Sequence, residues 1–237
     1  GAVITGLTTT NLSTTQVGAL SNDQISSLTT TSISGLNSTY TQAMTPGQIQ
    51  AMSTSQLQSI TVTNLSNSQV AGLTNTVVSG LSTTQVAAFT TVQVPNFSNA
   101  VITNMNTTNV AALTTNQVAN LTENQVKLLS TAQLSTMGTT DITAITSTQL
   151  AAMSSAQIDS FSTAMVNLMS STQLQGVTAA VVTTLGTDQI AALTTSAVQG
   201  LLANQVAALT TAQVDTLSTV SLQNLSSTQL QALNTAD

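Results

Sequence analysis

The 237-residue chain has no cysteine, histidine, arginine or tryptophan, and a single lysine, Lys127. Each absence removes a class of chemistry. Without cysteine there is no disulfide framework. Without histidine or cysteine no nucleophile–base pair can be assembled, and Lys127 is a lone amine. The same gap removes the usual ligands of transition metals. The acids are Asp23, Glu123, Asp141, Asp159, Asp188, Asp215 and Asp237, scattered rather than grouped as in a calcium loop. No glycine-rich phosphate loop is present. A net charge of −6 with one cation argues against nucleic acid and against a polybasic membrane contact, both of which need clustered Lys and Arg. No apolar run approaches the ~20 residues of a membrane helix, and the opening GAVITGL is not a signal peptide. The sequence thus offers no catalytic, cofactor-binding or metal site, and it reads as a non-enzyme without membrane insertion.

What is abundant is Thr, Ser, Asn, Gln and Ala. Such low complexity first suggests disorder. A hydrophobic content of 41% and a mean hydropathy of +0.28 argue the other way, and the apolar residues are placed periodically. The period is eight. Complete octads run over 13–60 and 66–233, 27 in all, with shortened units at 8–12 and 61–65, so that 1–237 reads as one continuous array. Position eight is apolar in all 27 and position five in 26, Thr41 being the exception. Position one is Ser, Thr, Asn or Gly in 26, with Leu202 the exception, and position four is Gln in 17.

A flat strand would send residues three and five apart to opposite faces. An unbroken α-helix fails as well, because eight residues overshoot two turns by ~80°. The helix must be interrupted once per octad, and the interruption is written in the motif. Hydrophobe, Ser/Thr, x, x, Gln, hydrophobe is a capping box combined with a hydrophobic staple. Asn and Gly at the remaining caps (Asn37, Asn106, Gly138, Gly186) belong to the same preferred set. Glu123, Asp23, Asp188 and Asp141 fall in first turns, where the helix dipole favours anions. Pro46 sits where a helix accepts proline, whereas Pro95, at position six, should distort its unit.

Each octad is therefore expected to form a helix of seven residues with a one-residue corner. A helix this short is unstable alone, so stability must come from stacking, as in a solenoid. Position seven is almost always small, which suits close stacking. Recurrence of non-Gln fourth positions at 24 residues (Val77 and Val101, Asp141 and Met165, Ala197 and Ser221) hints at three helices per superhelical turn. The expected fold is all-α, a superhelix of very short helices. The rival is a β-solenoid, favoured by Thr and Val propensity.

Octads such as STTQVAAF (82–89), GTDQIAAL (186–193) and TTAQVDTL (210–217) resemble the Thr/Ser/Ala/Gln-rich arrays of giant bacterial surface and secreted proteins often labelled adhesins. The resemblance implies an extracellular or cell-surface location and a spacer, adhesive or filament-forming role. It carries over no functional residues, and that family's calcium-binding secretion repeats are missing here. The array starts within a unit at Gly1 and stops within one at Asn234–Asp237, without polar caps. This points to a segment of a longer array, or to ends that join other copies. Self-association, end to end or lateral, is the expected partnership, with little salt dependence and no calcium requirement. Matrix or cell-surface glycans are possible partners through a second reading, in which Thr rows form a repetitive polar face for ice or glycan. Seven N-x-S/T sequons, at Asn11, Asn37, Asn64, Asn96, Asn106, Asn120 and Asn224, are as many as chance yields in so Asn- and Thr-rich a chain.

Overall fold

The structure is a computed structural model and describes residues 12–233. Among these residues it contains 26 α-helices, numbered in chain order from α1 (Thr14–Gly18) to α26 (Ser227–Ala232), and two 3-10 helices; no strand occurs. The all-α solenoid of short helices is the observed fold, and the β-solenoid is excluded for the described residues. The chain divides into two units at Asn120/Leu121, each described by itself below.

The helices span four to six residues, shorter than the seven expected. The difference arises at the corner, which takes two residues rather than one. At a typical junction Met44 has φ −74°, ψ 142° and Thr45 has φ −74°, ψ 155°. Both are extended, and together they swing the chain from one helix into the next N-cap. The approach to the corner is tightened by a bond from the position-eight N–H to the position-five carbonyl, as in Leu28 N to Ile25 O at 3.1 Å. This is a 3-10 closure of the last turn. No described residue has positive φ, so the corner needs no glycine and any small polar residue can follow it.

Within each unit every helix packs on the third helix along. In the first, α1 lies on α4 (Ser38–Ala43), α2 (Asn22–Ser26) on α5 (Pro46–Gln50) and α3 (Thr30–Ser34) on α6 (Thr54–Ser59). In the second, α13 (Glu123–Leu128), α16 (Ser147–Ala152), α19 (Ser171–Gly176), α22 (Thr195–Gln199) and α25 (Thr219–Gln223) form one column. Three units per turn is thus the observed repeat. Positions five and eight point inward except in the end turns, where Leu230 is exposed: Ile25, Val70, Val78, Leu134 and Val198 are fully buried. Phe89 and Phe97 meet edge to face at 4.9 Å within the first unit, a favourable aromatic geometry.

The irregular units follow their sequences. TVTNL is a single 3-10 turn, Val62–Asn64, so the loss of three residues removes one turn and keeps the corner. The other shortened unit, 8–12, lies outside the described residues apart from Leu12. Pro95 does distort its octad: the helix is replaced by turns and the 3-10 helix Val94–Asn96, because proline cannot donate within an α-helical turn. Val92, at position three, is 67% exposed.

Position seven is small because it faces position two of the helix one turn below. A Cβ on Gly72 would lie 2.7 Å from Cβ of Pro46, and one on Gly176 would run into the backbone of Ser147. By contrast, the space beside Gly47 is open, with its nearest neighbour at 3.9 Å. Gly176→Ala is expected to cost about 1–3 kcal/mol by overpacking, while Gly47→Ala should stabilise by about 0.5–1 kcal/mol through helix propensity. Chemical denaturation of the two variants checks the opposite signs.

Thr41, the exception at position five, is 1% exposed and its Oγ1 has no hydrogen-bond partner. Burying an unpaired hydroxyl is unfavourable. Thr41→Val, which restores the motif at equal size, should raise stability by about 1–2 kcal/mol, read as a higher denaturation midpoint with unchanged slope.

Candidate functional site

The recurrent polar constellation of the molecule is the corner, and its organiser is the position-four glutamine. The N-cap hydroxyl accepts from the backbone N–H three residues on, as Thr114 Oγ1 does from Gln117 N at 3.3 Å. The glutamine answers: Gln117 Oε1 accepts from Thr114 N at 2.7 Å. This is the capping box expected from the sequence, and it recurs along both units. Leu202, the exception at position one, makes no side-chain cap bond, although Gln205 still accepts its N–H.

The other end of the carboxamide does something that the local motif does not announce. Gln117 Nε2 donates to Val86 O at 2.8 Å and to Phe89 O at 2.7 Å, 31 and 28 residues earlier. These are the carbonyls of positions five and eight in the corner directly beneath. Gln56 does the same to Ile25 O and Leu28 O, and Gln213 to Val182 O and Leu185 O. The position-eight carbonyl belongs to an extended residue outside the helix, so it has no intrahelical donor. The side-chain amide supplies one. Each such glutamine therefore clamps its own helix start to the corner below.

Every position-four glutamine from Gln48 to Gln229 is buried. Gln16 is exposed and Gln24 half-buried; they belong to the first described turn. The clamp survives the shortened unit: Gln69 reaches Thr41 O at 2.7 Å and Met44 O at 2.6 Å, now 28 and 25 residues back. It also survives the proline, since Gln93 reaches Val62 O and Leu65 O. Asn109, one methylene shorter, reaches only the position-five carbonyl of Val78, at 2.9 Å. A second, exposed set of ties joins a position-six amide to the position-seven carbonyl one turn above, as in Gln50 to Gly72, Asn167 to Ala192 and Gln175 to Gly200.

No catalytic, cofactor or metal residue was expected, and among the described residues no group of three or more acids comes together. Glu123, Asp23, Asp188 and Asp141 lie in first turns, and Asp141 Oδ2 accepts from Gly138 N at 2.9 Å, standing in for glutamine at its cap. Burial pushes the Asp159 carboxyl above its ordinary value, partly offset by the Thr184 hydroxyl at 3.4 Å. Lys127 lies in the last turn of α13 beside a shallow open depression with Ser130, Met153 and Ser154.

Of the sequons, Asn37 and Asn106 are N-caps whose oxygens are engaged. The side-chain nitrogens of Asn96, Asn120 and Asn224 donate to carbonyls four residues back, and that of Asn64 donates to Leu36 O. Asn11 lies outside the described residues. The nitrogen that a glycan would take is thus already bonded at Asn64, Asn96, Asn120 and Asn224. Thr and Ser at positions one to three do gather on one column of the second unit: Thr146–Thr148 before and within α16, 170–172 at α19 and 194–196 at α22.

No protein-family model matches the chain, and no curated protein matches it. The corner joins successive turns by directed hydrogen bonds in a dry setting.

Gln117→Leu keeps the size and removes both ends of the clamp, leaving Thr114 N and Phe89 O unsatisfied. It is expected to cost about 2–4 kcal/mol. Thr114→Ala, which removes the cap acceptor alone, should cost about 0.5–2 kcal/mol. Denaturation midpoints should fall in that order, with Gln16→Leu nearest to the parent protein.

Proposed function

We propose that the protein is an extracellular structural repeat protein, a stiff segment of a filament, sheath or adhesin stalk built by stacking octads and by homotypic association. The observation that carries the reading is the clamp. The polar groups that a binding protein would turn toward a ligand are here spent, corner after corner, on holding one turn of the chain to the next. The resemblance to bacterial surface arrays supports the location, as does the near absence of the residues most exposed to oxidation and proteolysis. No helix among the described residues is long and apolar enough to cross a membrane.

Association between copies follows from the surface. With 3% charged residues, hydroxyl, amide and methyl groups dominate it, and little charge repulsion keeps copies apart. Corner carbonyls contribute little to the association, because the chain's own glutamines take up most of them. Light scattering and electron microscopy of the purified protein across a salt series, with and without chelator, test this. Assemblies that persist from low to high salt and ignore chelation are expected. A monodisperse monomer, or dissociation by moderate salt or chelator, contradicts the proposal.

The hydroxyl column over α16, α19 and α22 favours a second reading, a repetitive polar face for ice or glycan. Thermal hysteresis and a glycan array discriminate: a signal in either supports it, and silence in both removes it.

A further inference from the structure

The clamps are not uniform, and their gaps converge on one helix of the first unit, α8 (Asn75–Gly80). Three clamp positions serve this helix. Its own position four is Val77, which has no amide to give to Met52 O beneath. The corner that leads into it ends at Leu73 O, above which stands Val101, again without an amide. The corner that leads out ends at Leu81 O, beneath Asn109, which stops short at Val78 O. Met52, Leu73 and Leu81 each donate their N–H to a position-five carbonyl, but among the described residues nothing donates a hydrogen bond to their own carbonyls. Asn75 Oδ1, at the start of α8, is buried without a partner as well. The shortened unit Val62–Asn64 and the proline-distorted octad at Pro95 lie on either side in the chain. The outer tie that remains on α8 is the exposed bond from Gln58 Nε2 to Gly80 O, at 3.2 Å.

Buried carbonyls and amide oxygens without donors raise the free energy of the closed state relative to an open one in which water satisfies them. Segments of low local stability open ahead of the rest. We propose that α8 is a release point built into the first unit, the helix that leaves the stack first and reversibly, exposing Val78, Leu73 and Leu81 while its clamped neighbours stay packed. The inference rests on the distribution of clamps and is independent of the reading as an extracellular rod.

Hydrogen exchange followed by mass spectrometry on the full chain tests it. Amides of α8 should exchange at least about ten-fold faster than those of α6 and α9 (Thr83–Ala88) in the same unit, both of which carry clamps at Gln56 and Gln85. The triple variant Val77→Gln, Val101→Gln, Asn109→Gln should slow α8 by about the same factor. A converse variant guards against a misfolded triple. Gln149→Val with Gln173→Val strips α16 of its own clamp and of the one on Ile145 O; the corner after it, at Met153, already lies beneath Val181. This change should accelerate exchange in α16 about ten-fold and leave the first unit unchanged. Exchange in α8 that matches α6 and α9, or an α16 indifferent to the loss of its clamps, overturns the proposal.

Discussion

A chain that turns a corner every eight residues exposes, at every corner, a carbonyl that neither the preceding nor the following helix can pair. This constraint governs the structure. Burying the corner is necessary, since two aliphatic side chains per octad are too little to hold a helix of one turn unless they are stacked and dry. Yet burial without a donor would leave one orphan carbonyl per unit, a cost that accumulates along the array. The glutamine carboxamide resolves the conflict because it has two ends. Its oxygen accepts the N-cap amide of its own helix, and its nitrogen donates to the carbonyls one turn below. One residue type at one position thus satisfies both the local and the long-range requirement, which is why the octad can repeat with so little else conserved within it.

The same geometry accounts for residues that otherwise look incidental. Position eight is extended and apolar because it both turns the chain and fills the core. Position seven is small because the helix below passes within contact of it, most tightly where Gly176 meets Ser147 and Gly200 meets Ser171. The three-residue deletion at 61–65 is tolerated because it removes one helical turn and leaves the corner intact, and Gln69 confirms this by reaching Thr41 and Met44 at correspondingly shorter sequence separations. The distorted octad at Pro95 is held in the stack by Gln93 in the same manner.

Much of this was legible from residues alone. The caps, the staple, the shortened unit at 61–65 and the disturbance at Pro95 all rest on local stereochemistry or on spacing, which a single sequence displays; the three-fold repeat was only hinted at by the 24-residue recurrence of non-Gln fourth positions. The length of the helices was overestimated, because a helix pattern does not reveal that position eight must become extended to aim the next cap. The inward donation by Gln117 and its counterparts was missed for a different reason. A capping box explains the glutamine completely at short range, so nothing in the motif asks what its nitrogen does. The signal was nevertheless present: Asn or Gln could both serve a cap, but only the longer side chain reaches both carbonyls of the corner below, and Gln dominates position four.

The central claim is that position-four carboxamides bridge successive turns. Nuclear magnetic resonance of the side-chain NH2 groups measures it most directly. Gln117, Gln56 and Gln213 should show slowly exchanging Nε2 protons with scalar couplings across the hydrogen bonds to the carbonyl carbons of Phe89, Leu28 and Leu185, while Gln16 exchanges as a free amide. Uniformly fast exchange of all glutamine side chains, with no coupling to a carbonyl one turn away, would contradict the account.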